Sequence, residues 1–270
     1  MTFSQERDIP DLAGKVVIVT GGSSGLGKES VIQLAKHNPA AIYLTARTEA
    51  RGNAAIRENK IKYLELDLGS FASIKKSTDA FLTASDRLDI LMNNAGLMAT
   101  PPGLTTDGYE VQFGSNYMGP ALFTKLLLPI LNKTAEQPGS DVRVVNLSSE
   151  LFKQAPSDGI LIAKCKTPLD DISSLARYVH PGVVKTGLFD DFRKRRPWVG
   201  GVISVLGSIF LTDVHAGARA QLWASTAASA SVKSGGFYNP KFKEYKEANL
   251  YDDKAAQELC DWTEKELEGQ

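Results

Sequence analysis

Cysteine is scarce in this chain, with Cys165 and Cys260 alone among 270 residues, and histidine is hardly commoner at three. No CxxC pair and no HxxxH spacing can be written from them, so the sequence offers no ligand set for a structural or catalytic metal. Two thiols so far apart read as the reduced cysteines of an intracellular protein. Excess charge is also lacking, because 31 Lys plus Arg balance 31 Asp plus Glu. A chain without a net field has no general attraction for nucleic acid, and none is expected as a partner. No fixed-period repeat or low-complexity tract occurs. The opening MTFSQERDIPDLAG is polar and acidic, with no apolar core of the kind a secretory signal needs, so a cytoplasmic location is expected. Long apolar runs are missing too. In RKRRPWVGGVISVLGSIFLT, four basic residues from Arg193 precede an apolar run that ends at Thr212 and is about five residues short of a ~20-residue membrane span. The segment 188–212 is read as a substrate lid, and a weak membrane-surface contact through 193–212 is the other use of the basic cluster.

What the sequence has instead is alternation. VVIVT (Val16 to Thr20) is an uninterrupted β-branched run suited to a strand covered on both faces, and KESVIQLAKHNP behind it carries Val31, Leu34 and Ala35 on one helical face before Pro39. The same order recurs: AIYLTAR strand, EARGNAAIREN helix, IKYLELDL strand, SFASIKKSTDAFLTAS helix, DILMNNAG strand, a long helix through Asn116 to Leu131, and VRVVNLSS strand. Strands and helices in strict turn imply right-handed crossovers and an α/β fold, a doubly wound Rossmann-type parallel sheet in a single domain over 1–270. After Ser149 the alternation breaks into a loop-like stretch punctuated by Pro156, Gly159 and Pro168. Farther on come a helix AGARAQLWASTAA, a strand-like GGFYNP and a final amphipathic helix around DKAAQELCDWTEKEL.

Between the first strand and the first helix lies GGSSGLG. Glycines there let the backbone turn sharply and approach a pyrophosphate, and the free N–H groups of the following helix favour its charge. Gly21, Ser23, Ser24, Gly25, Leu26 and Gly27 are therefore candidate cofactor-binding residues. Arg47 ends the second strand 20 residues past Gly27, where an acid would hold a ribose 2′-OH and an arginine can pair with a 2′-phosphate. NADP(H) is the cofactor this charge favours; the plain alternative is a solvated surface arginine. Asp67, followed by Leu68, closes the third strand, where a carboxylate can face the adenine amine. NNAG, ending in Asn94, Ala95 and Gly96, closes the fourth, and alone it would be an ordinary Asn-Gly turn.

TGGSSGLG, LDL, NNAG, FGSNYMGP, VVNLSS and HPGVVKT stand in the order found in short-chain dehydrogenases/reductases, and the chain resembles the retinol-dehydrogenase-like and WW-domain-oxidoreductase-like branch in its fungal variety. That resemblance implies hydride transfer between NADP(H) and a lipophilic alcohol/carbonyl pair, a small lipophilic molecule being the expected partner. Carried over by position, it puts Asn94 against the ribose, Leu26 near the nicotinamide through its backbone, Val184 and Thr186 on the carboxamide and pyrophosphate, and Lys125 as a further cofactor contact. Asn116 would bend its helix and hold a relay water, Ser149 would bond the substrate oxygen, and Tyr178 stands where the proton donor belongs.

One part of the pattern is missing. A phenol with a pKa near ~10 needs a lysine one helical turn on to bring its proton transfer toward neutrality, hence the family's YxxxK. None of the eight tyrosines here is followed by that lysine, and Arg47, four past Tyr43, is the lone basic residue at such a place. SSLARY meets VHPGVVKT directly, as though a crossover helix of ~20 residues and part of a strand after the fifth strand were absent. A skipped exon, a mis-predicted intron or a real deletion would each leave this seam. Lys153, Lys164 and Lys185 are the conceivable substitutes for the cation, and each reads more simply as an exposed lysine. The expectation is an intact coenzyme half with impaired turnover, and no dimer of the family type, since the absent helix forms half of that surface.

Overall fold

The structure, a computed structural model, describes residues 3–53, 60–98, 100–148, 162, 165–168, 213–245 and 253–270. In chain order the elements are β1 (Val16–Val19), α1 (Gly25–Ala35), β2 (Ala41–Ala46), α2 (Glu49–Asn53), β3 (Ile61–Glu65), α3 (Phe71–Ala84), β4 (Ile90–Asn93) and α4 (Val111–Phe113). A π-turn at Gly114–Met118 leads into α5 (Gly119–Ala135), followed by β5 (Arg143–Asn146), α6 (Val214–Gly217), α7 (Arg219–Thr226) and α8 (Asp253–Glu266). The five strands form one parallel sheet in the order β3-β2-β1-β4-β5. The Rossmann expectation from strict alternation is met. Strand order reverses between β1 and β4, and the crevice at their C-terminal ends is where such sheets bind ligands.

Successive side chains of a strand point to opposite faces, and β1 shows the outcome. Val17 and Val19 join one core with Val31 and Leu34 of α1, Ile42 and Leu44 of β2, and Ala218 and Leu222 beside or on α7. Val16 and Ile18 join the other with Ile74 and Phe81 of α3 and Leu122, Phe123 and Leu127 of α5. All four β1 residues are buried because both faces are covered. β5, last in this order among the described residues, alternates instead, and Val144 is left 38% exposed.

Local signals set the helix ends. Ser70 caps α3 by accepting from the Ser73 N–H, and past α1 the chain turns at Asn38, whose φ of 58° is left-handed, just before Pro39. Three expectations need correcting. The long helix through Asn116 is interrupted: the Gly119 N–H reaches back to the Gly114 carbonyl in a π-turn, and Pro120 has no N–H for the Asn116 carbonyl four residues earlier, so an α ladder cannot close there. AGARAQLWASTAA forms two helices, α6 and α7, with Ala218 between them. GGFYNP is no strand; Tyr238 makes a single antiparallel bridge to Glu244. The part of the second helix beyond Asn53 lies outside the described residues. Cys165 is a buried thiol and Cys260 an exposed one, not joined to each other. Burial, and then the charge of Glu110, push the Cys165 thiol up to about 11.

The foot of the sheet is fixed by one carboxylate. Asp89, fully buried, accepts from Arg87 Nε at 2.7 Å, Arg87 Nη2 at 2.6 Å and the Val16 N–H at 2.9 Å, and pairs with Lys15 Nζ at 3.1 Å. Burial alone would raise its pKa, but Arg87, the Val16 amide and Lys15 together hold it below the ordinary 3.8. A carboxyl depressed in the folded state stabilises fully above its unfolded pKa, and that contribution is lost as pH falls through the folded value. Asp89→Asn should lower the unfolding free energy in urea at pH 7 by about 3–5 kcal/mol. As pH falls below the ordinary carboxylate value of 3.8, the variant should lose stability less steeply than the parent protein.

Candidate functional site

The crevice is built from the last residue before the glycine turn. Thr20 is buried, and its hydroxyl is used to capacity: it donates to the Met92 carbonyl at 3.3 Å and accepts the N–H groups of Asn94 and Ala95, both at 2.9 Å. The ends of β1 and β4 are thereby held together. Gly21, at φ 65°, donates its N–H to Thr45 Oγ1 of β2 at 3.2 Å, and Gly25, at φ 52°, opens α1. Left-handed backbone of this kind is open to glycine without steric cost. Space is equally decisive. A Cβ on Gly22 would sit 2.7 Å from Leu44 Cβ, and one on Gly27 would sit 2.5 Å from the Gly21 carbonyl oxygen and collide with Asn94 Nδ2.

Ser24, exposed at the N-cap of α1 with extended backbone, makes no side-chain cap bond, and no acidic residue lies in the first turn. The first-turn amides and the Ser24 hydroxyl therefore face the crevice mouth without an anion of the helix's own. This arrangement fits the pyrophosphate of a dinucleotide: backbone packed where side chains would stand, at the positive end of an 11-residue helix. Ser23 and Leu26, both half-buried, complete the turn.

Around the turn, the ends of the other strands converge. Arg47 is exposed immediately after β2, two residues past the Thr45 that holds Gly21. Asp67 stands after β3 and accepts the Gly69 N–H at 2.9 Å, while its own N–H donates to Ser73 Oγ at 3.0 Å. Buried Leu68 follows, and its carbonyl lies so close to Gly119 that no Cβ would fit there. Asn116 sits in the π-turn and grips one residue of the loop after β4: its Nδ2 donates to the Leu97 carbonyl at 2.8 Å and its Oδ1 accepts the Leu97 N–H at 2.7 Å. Gly96 lies against the same side chain.

Two carried-over residues have partners inside the protein. Lys125 is turned from the crevice, its ammonium donating to the Leu267 carbonyl at 2.6 Å, because α8 packs on α5 and presents its last carbonyls there. Asn94 uses its amide inside the protein, donating to the Thr20 carbonyl at 2.8 Å and accepting from Gln221 Nε2 at 3.2 Å, so it braces the turn from beneath. Ser149, Tyr178, Val184, Thr186, the three substitute lysines and the lid 188–212 lie outside the described residues. Sequence reasoning passed over Thr20, Gln221 and the cluster in which Asn93 Nδ2 donates to Thr124 Oγ1 at 3.1 Å and to Asn146 Oδ1 at 2.8 Å. Two tyrosines near the π-turn are no proton donors for the crevice. Tyr109 donates to Glu266 Oε2 at 2.7 Å, and Tyr117 pairs with Thr263 Oγ1 at 2.9 Å. Burial, joined by Glu266 for Tyr109, moves both phenols upward, away from neutrality.

Residues 15–160 match the family model described as short chain dehydrogenase. An uncharacterized oxidoreductase of Schizosaccharomyces pombe is 33% identical, the match covering 97% of this chain and 87% of the relative. A short-chain dehydrogenase/reductase of Armillaria gallica is 36% identical over 86% of this chain and 83% of its own. The S. pombe comparison spans 303 aligned positions, 33 more than the 270 residues present, so at least that many positions of the alignment have no residue in this chain. A solved protein of Mycobacterium paratuberculosis shares the fold at a TM-score of 0.71, with 22% identity over 99% of this chain and 98% of that one.

The turn makes a direct prediction. Gly27→Ala should cost about 1–3 kcal/mol in thermal or urea unfolding through overpacking against the Gly21 carbonyl and Asn94. Gly14→Ala, a control at φ 76° with nothing within 4 Å of its Cβ position, should cost only the backbone strain of ~1–2 kcal/mol, and dinucleotide affinity should fall in the first variant alone.

Proposed function

The chain belongs to the short-chain dehydrogenase family, and from that premise we propose that it binds NADP(H) in the crevice between β1 and β4 and turns over a lipophilic alcohol/carbonyl pair only weakly. The observation that carries the first half is the turn itself, in which Gly22 and Gly27 leave no room for a Cβ and α1 opens with an unbonded Ser24 cap. Arg47, exposed at the rim, supports the 2′-phosphorylated coenzyme, because a guanidinium meets a phosphate with paired, charge-assisted hydrogen bonds.

When bound, the coenzyme supplies or takes the hydride at the substrate carbon. What the chain must add is a proton at the oxygen and a dry, oriented pocket. Asn116, locked on the Leu97 peptide, fixes the wall beside the nicotinamide side of the crevice. Ser149 is the residue proposed to bond the substrate oxygen. The donor is the weak point. No tyrosine has a lysine four residues on, and the 33 or more positions missing relative to the S. pombe protein support the reading that a segment carrying both has been lost. General acid catalysis is worth ~10²–10⁴ in rate. Tyr178 without its cation recovers little of that. The apolar composition of 188–212 favours lipophilic carbonyl compounds as substrates.

Titration of the protein against NADPH, followed by nicotinamide fluorescence, should show saturable binding. Arg47→Asp should weaken it by ~10–100-fold, the loss of a charged hydrogen bond, and leave NADH binding nearly unchanged. Reduction of long-chain aldehydes and quinones should run at least ~10²-fold below that of the S. pombe relative assayed beside it. Absence of NADPH binding would overturn the coenzyme assignment, and turnover matching the relative would overturn the second half.

A further inference from the structure

Gln221 lies nearly two hundred residues from the glycine turn in sequence and directly beneath it in space. It is 6% exposed, on α7, and its amide nitrogen faces four acceptors: Ser30 Oγ at 2.6 Å, Asn94 Oδ1 at 3.2 Å, the Leu26 carbonyl at 3.3 Å and Met92 Sδ at 3.4 Å. Two N–H groups cannot serve four acceptors singly, so these bonds are shared, and each partner is held by the one side chain. The partners are the pieces that define the crevice. Leu26 and Ser30 belong to the first turns of α1, Met92 to β4, and Asn94 to the loop after it. Asn94 passes the restraint on by donating to the Thr20 carbonyl at 2.8 Å, one residue before Gly21. The helix that carries Gln221 is itself anchored, since Arg143 of β5 donates to the carbonyls of Ala224 and Ala227 at its C-terminal end.

We infer that Gln221 is a positioning residue for the dinucleotide: by donating to the α1 and β4 sides of the crevice at once, it sets the separation and tilt at which the glycine turn meets a pyrophosphate. It touches no coenzyme atom itself. The inference rests on the reading of this crevice as an NADP(H) site, but its structural half stands on the protein without ligand. Because the amide is a pure donor toward these four acceptors, its chemistry and not its bulk is what matters. A carboxylate of the same shape would face Asn94 Oδ1 and the Leu26 carbonyl with lone pairs and add a negative charge beneath an anion site.

Three variants test this. Gln221→Met keeps length and volume and removes the donor; Gln221→Glu keeps shape and reverses the polarity; Ser225→Ala alters a buried neighbour on α7 whose hydroxyl bonds back to the Gln221 carbonyl. In the ligand-free protein, amide hydrogen exchange across residues 21–30 should quicken about tenfold in Gln221→Met, with α3 unchanged, and stay as in the parent in Ser225→Ala. NADPH affinity should fall about tenfold in Gln221→Met and further in Gln221→Glu, and the Glu variant should regain affinity as pH is lowered and the protonated acid becomes a donor again. A structural role alone predicts the reverse: exchange rising throughout α1, α7 and α3, equal NADPH affinity in all folded variants, and no recovery at low pH. Any of these results would overturn the inference. If the unaltered protein binds no NADPH, the coenzyme reading fails by itself, and the exchange data on the ligand-free variants still decide whether Gln221 braces the turn.

Discussion

At the head of α1, backbone occupies the volume where side chains would otherwise begin, and the rest of the crevice is arranged around that fact. Gly22 lies on Leu44 and Gly27 on Asn94 and the Gly21 carbonyl. The close approach has two consequences that pull together. It lets α1 descend onto β1 and β2 so that Val31 and Leu34 complete one core, and it leaves the helix's first amides uncovered at the mouth between β1 and β4. Thr20 then has to join the two strand ends with a single hydroxyl, and it does so with its proton and both lone pairs engaged. Packing and anion recognition are therefore one constraint, and a methyl group in the wrong place disturbs both.

Much of this was legible from residue order. The uninterrupted β-branched run at Val16 announced a strand covered on both faces, and the glycines directly after it located the turn. What the sequence hid were contacts between distant segments. Gln221 is one polar residue in a helix and carries no local sign that it will meet Leu26 and Asn94. Lys125 was carried over as a coenzyme contact from the family resemblance alone, and the docking of α8 explains why its ammonium goes to Leu267. The π-turn was half visible: Gly114, Gly119 and Pro120 were all present, but their effect depends on Leu68 and Thr105 crowding the two glycines from neighbouring loops.

The two halves of the family's chemistry are unequally represented in this chain. Among the described residues, the five strands and the strand ends around the crevice all fall between Lys15 and Ser148. Proton transfer draws on later residues, where the sequence departs from the pattern it otherwise follows. Asn116 holds the Leu97 peptide by both its amide nitrogen and its oxygen, so the loop after β4 is fixed against the π-turn. A binding function can outlast a catalytic one in such a chain, because the first is stored in the packing of a core and the second in the placement of two side chains.

The docking of α8 bears on how the protein comes to exist at all. Leu267 is 2% exposed and shares a core with Val16 and Ile18, and Trp262 packs against Tyr109 and Phe113 at centroid distances of 6.4 Å and 6.0 Å. That layer cannot close while residues near 267 are still inside the ribosome. Completion of that layer therefore comes late in synthesis, after the glycine turn and the strands that frame it have been made.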